Sequence, residues 1–147
     1  MTTRAQWTAA LAALGTLALA GAASGVALAG GQTHPTLTLS VATTPVTYSE
    51  GARITAHGDT GVDGRLWLDV IATESNFCEP TVTSERRSRN HEGEVIHERV
   101  KGSFSPTGTF RASRPIYGRW FACAYLGPDS DHTFAHARAM WEVVKKK

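Results

Sequence analysis

Six histidines, two cysteines, an Asp-Thr-Gly run and an arginine-dense segment are the residues of this 147-residue chain whose types invite chemistry. His91-Glu92 opens like the helical zinc-protease motif, but that motif needs a histidine at position 95, where Val95 stands. His132 and His136 are four residues apart; on a strand, at about 3.3 Å per residue, they lie about 13 Å apart and cannot share one ion. His91 and His97 could meet only if the chain between them folded back. Asp59-Thr60-Gly61 matches the aspartic-protease signature, yet that reaction needs two carboxylates sharing a proton and the run occurs in a Gly-rich turn. Asp59 and Asp63 alone are thin support for a calcium site. These spacings predict no catalytic residue, no metal site and no cofactor.

The arginines suit recognition better than catalysis. Residues 79–101 hold five acids (Glu79, Glu85, Glu92, Glu94, Glu98) and five bases (Arg86, Arg87, Arg89, Arg99, Lys101), so the segment is highly charged and neutral. Residues 79–93 read as a solvated loop leading into an edge strand guarded by charge. The functional reading is a recognition loop in which Arg86, Arg87 and Arg89 grip a carboxylate or phosphate through their planar forks. Trp67, expected on an outward face, is the aromatic candidate, because Arg and Trp dominate interface hot spots. The formal charge is +2, and without Lys145, Lys146 and Lys147 the rest carries 12 bases against 13 acids. That balance excludes a strongly basic nucleic-acid footprint.

Residues 7–29 carry no charge and follow Arg4, which gives the pattern of a signal peptide over residues 1–29 with its apolar core at 11–19. Small-x-small sites stand at 18–20 and 27–29, and cleavage is expected after Ala29. The alternative is an uncleaved anchor, since about 20 apolar residues suffice to span a bilayer. The mature chain then divides into a flexible start at 30–35, one domain at 36–144 and a basic tail at 145–147. In an exported chain two cysteines pair, so Cys78–Cys123 is expected, stabilising the fold by about 4 kcal/mol on the chain-entropy argument.

The elements that must position these residues are strands, because apolar residues recur with period 2 in short runs between Gly, Pro, Asp, Asn and Ser. Leu37, Leu39 and Val41 share one face of a first strand that Pro45 ends. A second strand spans 52–57 with Ile54 and Ala56 inward, and residues 58–64 form a turn. In the third, Leu66, Leu68, Val70 and Ala72 face in, while Arg65, Asp69 and Thr73 face out with Trp67 and Ile71. Strands follow at 94–104 and 108–113, joined across 105–107, then at 117–126 and 133–144. Core positions are Leu37, Leu39, Val41, Ile54, Leu66, Leu68, Val70, Trp141 and one face of 117–126.

The run Tyr117-Gly118-Arg119-Trp120-Phe121-Ala122-Cys123-Ala124-Tyr125-Leu126, followed by a polar turn and an Ala-rich last strand, resembles the closing strands of immunoglobulin-like domains in small secreted bacterial proteins of unknown function. The resemblance implies an all-β, seven-stranded immunoglobulin-like sandwich with one disulfide, in which the cysteine-bearing strands lie side by side. It departs from antibody domains in that Trp67 precedes both cysteines and Phe121 stands where a Tyr would precede the second, so no functional residue is carried over. The expected function is a secreted, non-catalytic binding or structural module whose partner is an extracellular protein or cell-wall component. Membrane contact is expected only through residues 7–29 if they are retained. Two alternatives remain open. A small exported hydrolase or metal-dependent enzyme would gather two or more of His57, His91, His97, Asp59 and Asp63 in a pocket. An inhibitor of an extracellular enzyme would present a rigid loop at 76–80 braced by Cys78.

Overall fold

The structure is a computed structural model that describes residues 34–42, 44–71, 77–113 and 115–146. The expected signal segment at 1–29, most of the 30–35 start, Ala72, Thr73, Asn76 and Lys147 lie outside the described residues. The described residues form seven strands and one short helix: β1 (Thr36–Val41), β2 (Val46–Thr47), β3 (Ala52–Ile71), α1 (Val82–Arg87), β4 (His91–Phe104), β5 (Thr107–Phe110), β6 (Gly118–Gly127) and β7 (Ala135–Val144). The fold is all-β in its framework, as the alternation predicts. Its strand number matches expectation only because two expected strands are one and a short additional strand, β2, pairs parallel with the end of β7.

The fused strand is β3, 20 residues long. The expected turn at 58–64 is instead continuous strand with a register break between Thr60 and Gly64, where residues 61–63 bulge out of the ladder with β4. Thr60 staples that bulge: its buried hydroxyl donates to the Val62 carbonyl at 2.9 Å and accepts from the Val62 amide at 3.4 Å. Gly58 is needed for close approach rather than for turning, because the Phe104 ring and the Thr36 carbonyl occupy the space a Cβ would take.

The expected connection at 105–107 is likewise an interruption within an extended chain. β4 pairs with β3 as far as Phe104 opposite Gly58, and β5 resumes in the same register with Thr107 opposite Thr55. Pro106 lacks an N–H for the ladder, yet its carbonyl still accepts from the Ala56 amide at 3.0 Å. Residues 91–110 therefore line one edge of β3. On the other edge β1 pairs with the first half of β3 and β6 with the second, and β7 and β2 continue outward from β6. All seven strands are joined in one curled sheet, which replaces the expected division into two sheets.

The inner face of the curl holds the main core: Ile54, Ala56, Leu66, Leu68, Val70, Trp120, Ala122, Ala124, Leu126, Trp141 and Val143, with Leu37, Leu39 and Val41 half-buried against it. Ring contacts tie its centre together, Trp120 lying 6.4 Å from Trp141 and 5.4 Å from Phe110 between centroids. The expectation of a single buried face on β6 is corrected, because every residue from Trp120 to Gly127 is buried. Its second face, and that of β3, lie under the segment expected to be a solvated loop.

Candidate functional site

Cys78 and Cys123 form a disulfide with Cα atoms 5.7 Å apart, and no free cysteine is present among the described residues. The bond fastens the chain after β3 to the middle of β6, and α1 follows at once. Thr81 caps the helix, its hydroxyl accepting from the Ser84 amide at 3.2 Å while Ser84 Oγ accepts from the Thr81 amide at 3.1 Å. Beneath lie Trp67, Ile71, Val82, Phe121, Cys123 and Tyr125, a second apolar cluster against which Cys78 packs. Residues 77–90 thus form an ordered cap on the outer face of the sheet.

Two buried carboxylates hold the cap down. Glu85 is 1% exposed, and its Oε2 accepts from the Tyr125 hydroxyl at 2.7 Å and the Glu79 amide at 2.8 Å. Burial first, and then the Glu85 carboxylate, push the Tyr125 phenol above its ordinary range, so it stays a donor. Asp69, fully buried on β3, receives Arg86 Nε at 3.2 Å and Nη2 at 3.5 Å, a forked contact from the helix. Arg86 also pairs with Glu94. His91 Nε2 lies 3.7 Å from Asp69 Oδ1, beyond hydrogen-bond distance, and is buried without a hydrogen-bond partner among the described residues. Desolvation raises the Asp69 carboxyl above its usual range, opposed by Arg86 and then His91. His97 stacks on Trp67 with centroids 5.5 Å apart and turns Nδ1 toward Glu94 at 3.8 Å.

A raised carboxyl beside a histidine has the make-up of an acid–base pair. Here the Asp69 oxygens are sealed from solvent and faced by Arg86, so the arrangement holds the helix to the sheet. Cys78, Glu85 and Cys123 bring ligand-type atoms within 4.8 Å of one another, but both sulfurs are bonded to each other and are not free to coordinate.

The candidates are distributed differently from expectation. Arg86 is spent on Asp69 and Glu94, whereas Arg87 and Arg89 are exposed on the cap. Trp67 sits on the expected outer face of β3 but is 3% exposed, which corrects its expected role as an exposed contact aromatic, because the helix covers the face it shares with Asp69 and Ile71. His91 and His97 come near the same charge network. His57 stands apart, its Nδ1 3.0 Å from Ser105 Oγ and its Nε2 3.4 Å from Ser40 Oγ. Both ring nitrogens thus meet hydroxyls, and among the described residues none of the hydrogen bonds to His57 comes from the carboxylate that orients a catalytic histidine. Asp59 accepts from Ser103, and Asp63 pairs with Lys101 at 3.2 Å. His132 caps the last turn with Asp129, Nδ1 to Oδ1 at 2.8 Å.

Sequence reasoning missed Asp69, Glu85 and Tyr125. The available signal was on β3, where Trp67 and Ile71 flank Asp69 on one face: two large apolar residues on a supposed outer face imply something covering it. Among the described residues, no helix is long and apolar enough to cross a membrane. Neither protein families nor curated proteins show a match to the chain.

Proposed function

We propose that this chain is an extracytoplasmic, non-catalytic binding or structural module that meets an extracellular protein or cell-wall component through its disulfide-braced cap. The observation that carries the reading is the cap itself. A disulfide, a bond kept in oxidising compartments, fastens to the sheet a surface element that buries Val82 and Glu85 and leaves Arg87 and Arg89 exposed. Such an element is pre-ordered, and a pre-ordered surface loses little entropy on binding. Trp67 acts from beneath and Arg86 is engaged by Asp69 and Glu94, so both support the cap rather than touch a partner. The immunoglobulin-like likeness enters this reading only through the Cys123-bearing strand and supplies no functional residue.

The test is the intact mass of native protein recovered without reductant from culture fluid and from the membrane fraction. A soluble species lacking residues 1–29 and carrying the disulfide supports export. A full-length membrane species with free thiols overturns it. An Arg87→Glu/Arg89→Glu variant with unchanged thermal midpoint then loses retention on cell envelopes if the cap is the contact. An inhibitor of an extracellular enzyme is a second reading, favoured by Phe77, 61% exposed one residue before the disulfide. It predicts saturable inhibition of a secreted hydrolase that Phe77→Ala abolishes.

A further inference from the structure

Arg65 on β3 and Arg99 on β4 are direct cross-strand partners. Like charges placed opposite each other in a ladder destabilise it, and carboxylates relieve the other charges beside them: Arg86 has Asp69 and Glu94, and Lys101 has Asp63. Among the described residues neither Arg65 nor Arg99 has an ion-pair or hydrogen-bond partner for its guanidinium. The two line an open cleft of about 400 Å³ with Asp63, Gly64, Lys101 and Pro128. Its walls hold three cations to one acid. The shape follows from the backbone: β3 bulges at 61–63 beside the cleft, and Pro128, one residue past Gly127, the β6 partner of Arg65, lines another side of it.

We propose that this cleft is an oxyanion site that takes a phosphate-type group between the Arg65 and Arg99 forks, with Lys101 at its rim. Two adjacent planar forks present several N–H donors to one tetrahedral anion, an arrangement a lone lysine cannot supply. The site is distinct from the cap and does not depend on the cap's partner. Its ligand is a phosphate ester, whether on a lipid headgroup or on a soluble molecule.

The test is titration of the purified, disulfide-intact protein with inorganic pyrophosphate at low ionic strength, followed by amide shifts, alongside flotation with phosphatidylglycerol vesicles. Saturable shifts at residues 63–65 and 99–101 are expected. Arg65→Gln/Arg99→Gln weakens binding by at least about tenfold, the scale of losing charge-assisted contacts. Arg65→Lys/Arg99→Lys, which keeps the charge and loses the forks, falls in between. Without anion, the Gln pair melts no lower than the parent, because its removal relieves repulsion; that separates lost binding from lost fold. Flotation that needs Arg65 and Arg99 assigns the phosphate to a headgroup, and a response to pyrophosphate alone assigns it to a soluble ester. Equal weakening by the control pair Arg53→Gln/Arg111→Gln, or shifts that do not saturate, overturns the site.

Discussion

Leu66, Leu68 and Val70 look into one side of β3, and Trp67, Asp69 and Ile71 into the other; both sets are buried, by different means. The inner side is closed by the sheet curling on itself, so apolar side chains from β1, β6 and β7 meet there and packing alone suffices. The outer side is closed by a six-residue helix. A helix of that length does not hold itself in water. It stays because a disulfide anchors the chain before it, Thr81 and Ser84 cap it, and buried carboxylates on sheet and helix each find a donor on the other layer. The contrast teaches that a cover with little apolar surface can still seal a sheet when covalent and polar ties substitute for area, at the cost of needing every buried charge partnered.

The contrast can be broken most strongly from the inner side. Trp120→Ala, at a fully buried ring between Trp141 and Phe110, lowers stability by about 3–5 kcal/mol in chemical denaturation. It weakens both layers together, because the outer one rests on the sheet. Cys78→Ala/Cys123→Ala removes a link across 45 residues and costs about 2–4 kcal/mol, with far-ultraviolet dichroism of the sheet retained and the Trp67 environment altered in near-ultraviolet dichroism.

Smaller changes sharpen the polar side. Arg86→Ala leaves Asp69 buried without its cation; the cost is about 2 kcal/mol at neutral pH, below that of a fully sealed pair because Arg86 is 37% exposed. Its pH dependence has a fixed sign. The Asp69 carboxyl is raised in the folded state, so its contribution is fully present below the unfolded value and is lost as pH rises through the folded one. Removing Arg86 raises the folded value further, so denaturation midpoints of the variant approach the parent's in acid and fall away toward neutrality. Tyr125→Phe takes one of the two donors from the buried Glu85 carboxylate and costs about 1–2 kcal/mol. Thr81→Ala, a lost cap, costs about 1 kcal/mol and is read best as faster exchange of the Ser84 amide.

The inner layer was legible in the sequence because period-2 alternation reports one buried face directly: Ile54, Leu66, Leu68, Val70 and Trp141 all lie in the core. The cysteine pair was legible from number and expected compartment. The outer layer was not, because six helical residues are too few for a 3.6-residue period to register, and a neutral mixture of Glu and Arg looks the same solvated or paired. Gly58 to Gly64 read as a turn because turns, bulges and close backbone contacts all select Gly and Asp. Only the long-range register of β4 against β3 distinguishes them. The Arg65 and Arg99 cleft was hidden for the same reason, since 34 positions of chain separate residues that the ladder makes neighbours.

The most direct measurement is amide hydrogen exchange on the native protein before and after selective reduction of Cys78–Cys123. With the bond intact, the Glu85 and Ser88 amides, which donate to Thr81 at 2.9 Å and to Glu85 at 3.0 Å, are expected to be protected. On reduction they should accelerate by at least about tenfold while Leu68 and Ala122 to Ala124 keep their protection, the pattern of a separable cooperative unit. Fast exchange across α1 with the disulfide intact, or equal acceleration of both layers on reduction, would contradict a cap held to the sheet by that bond.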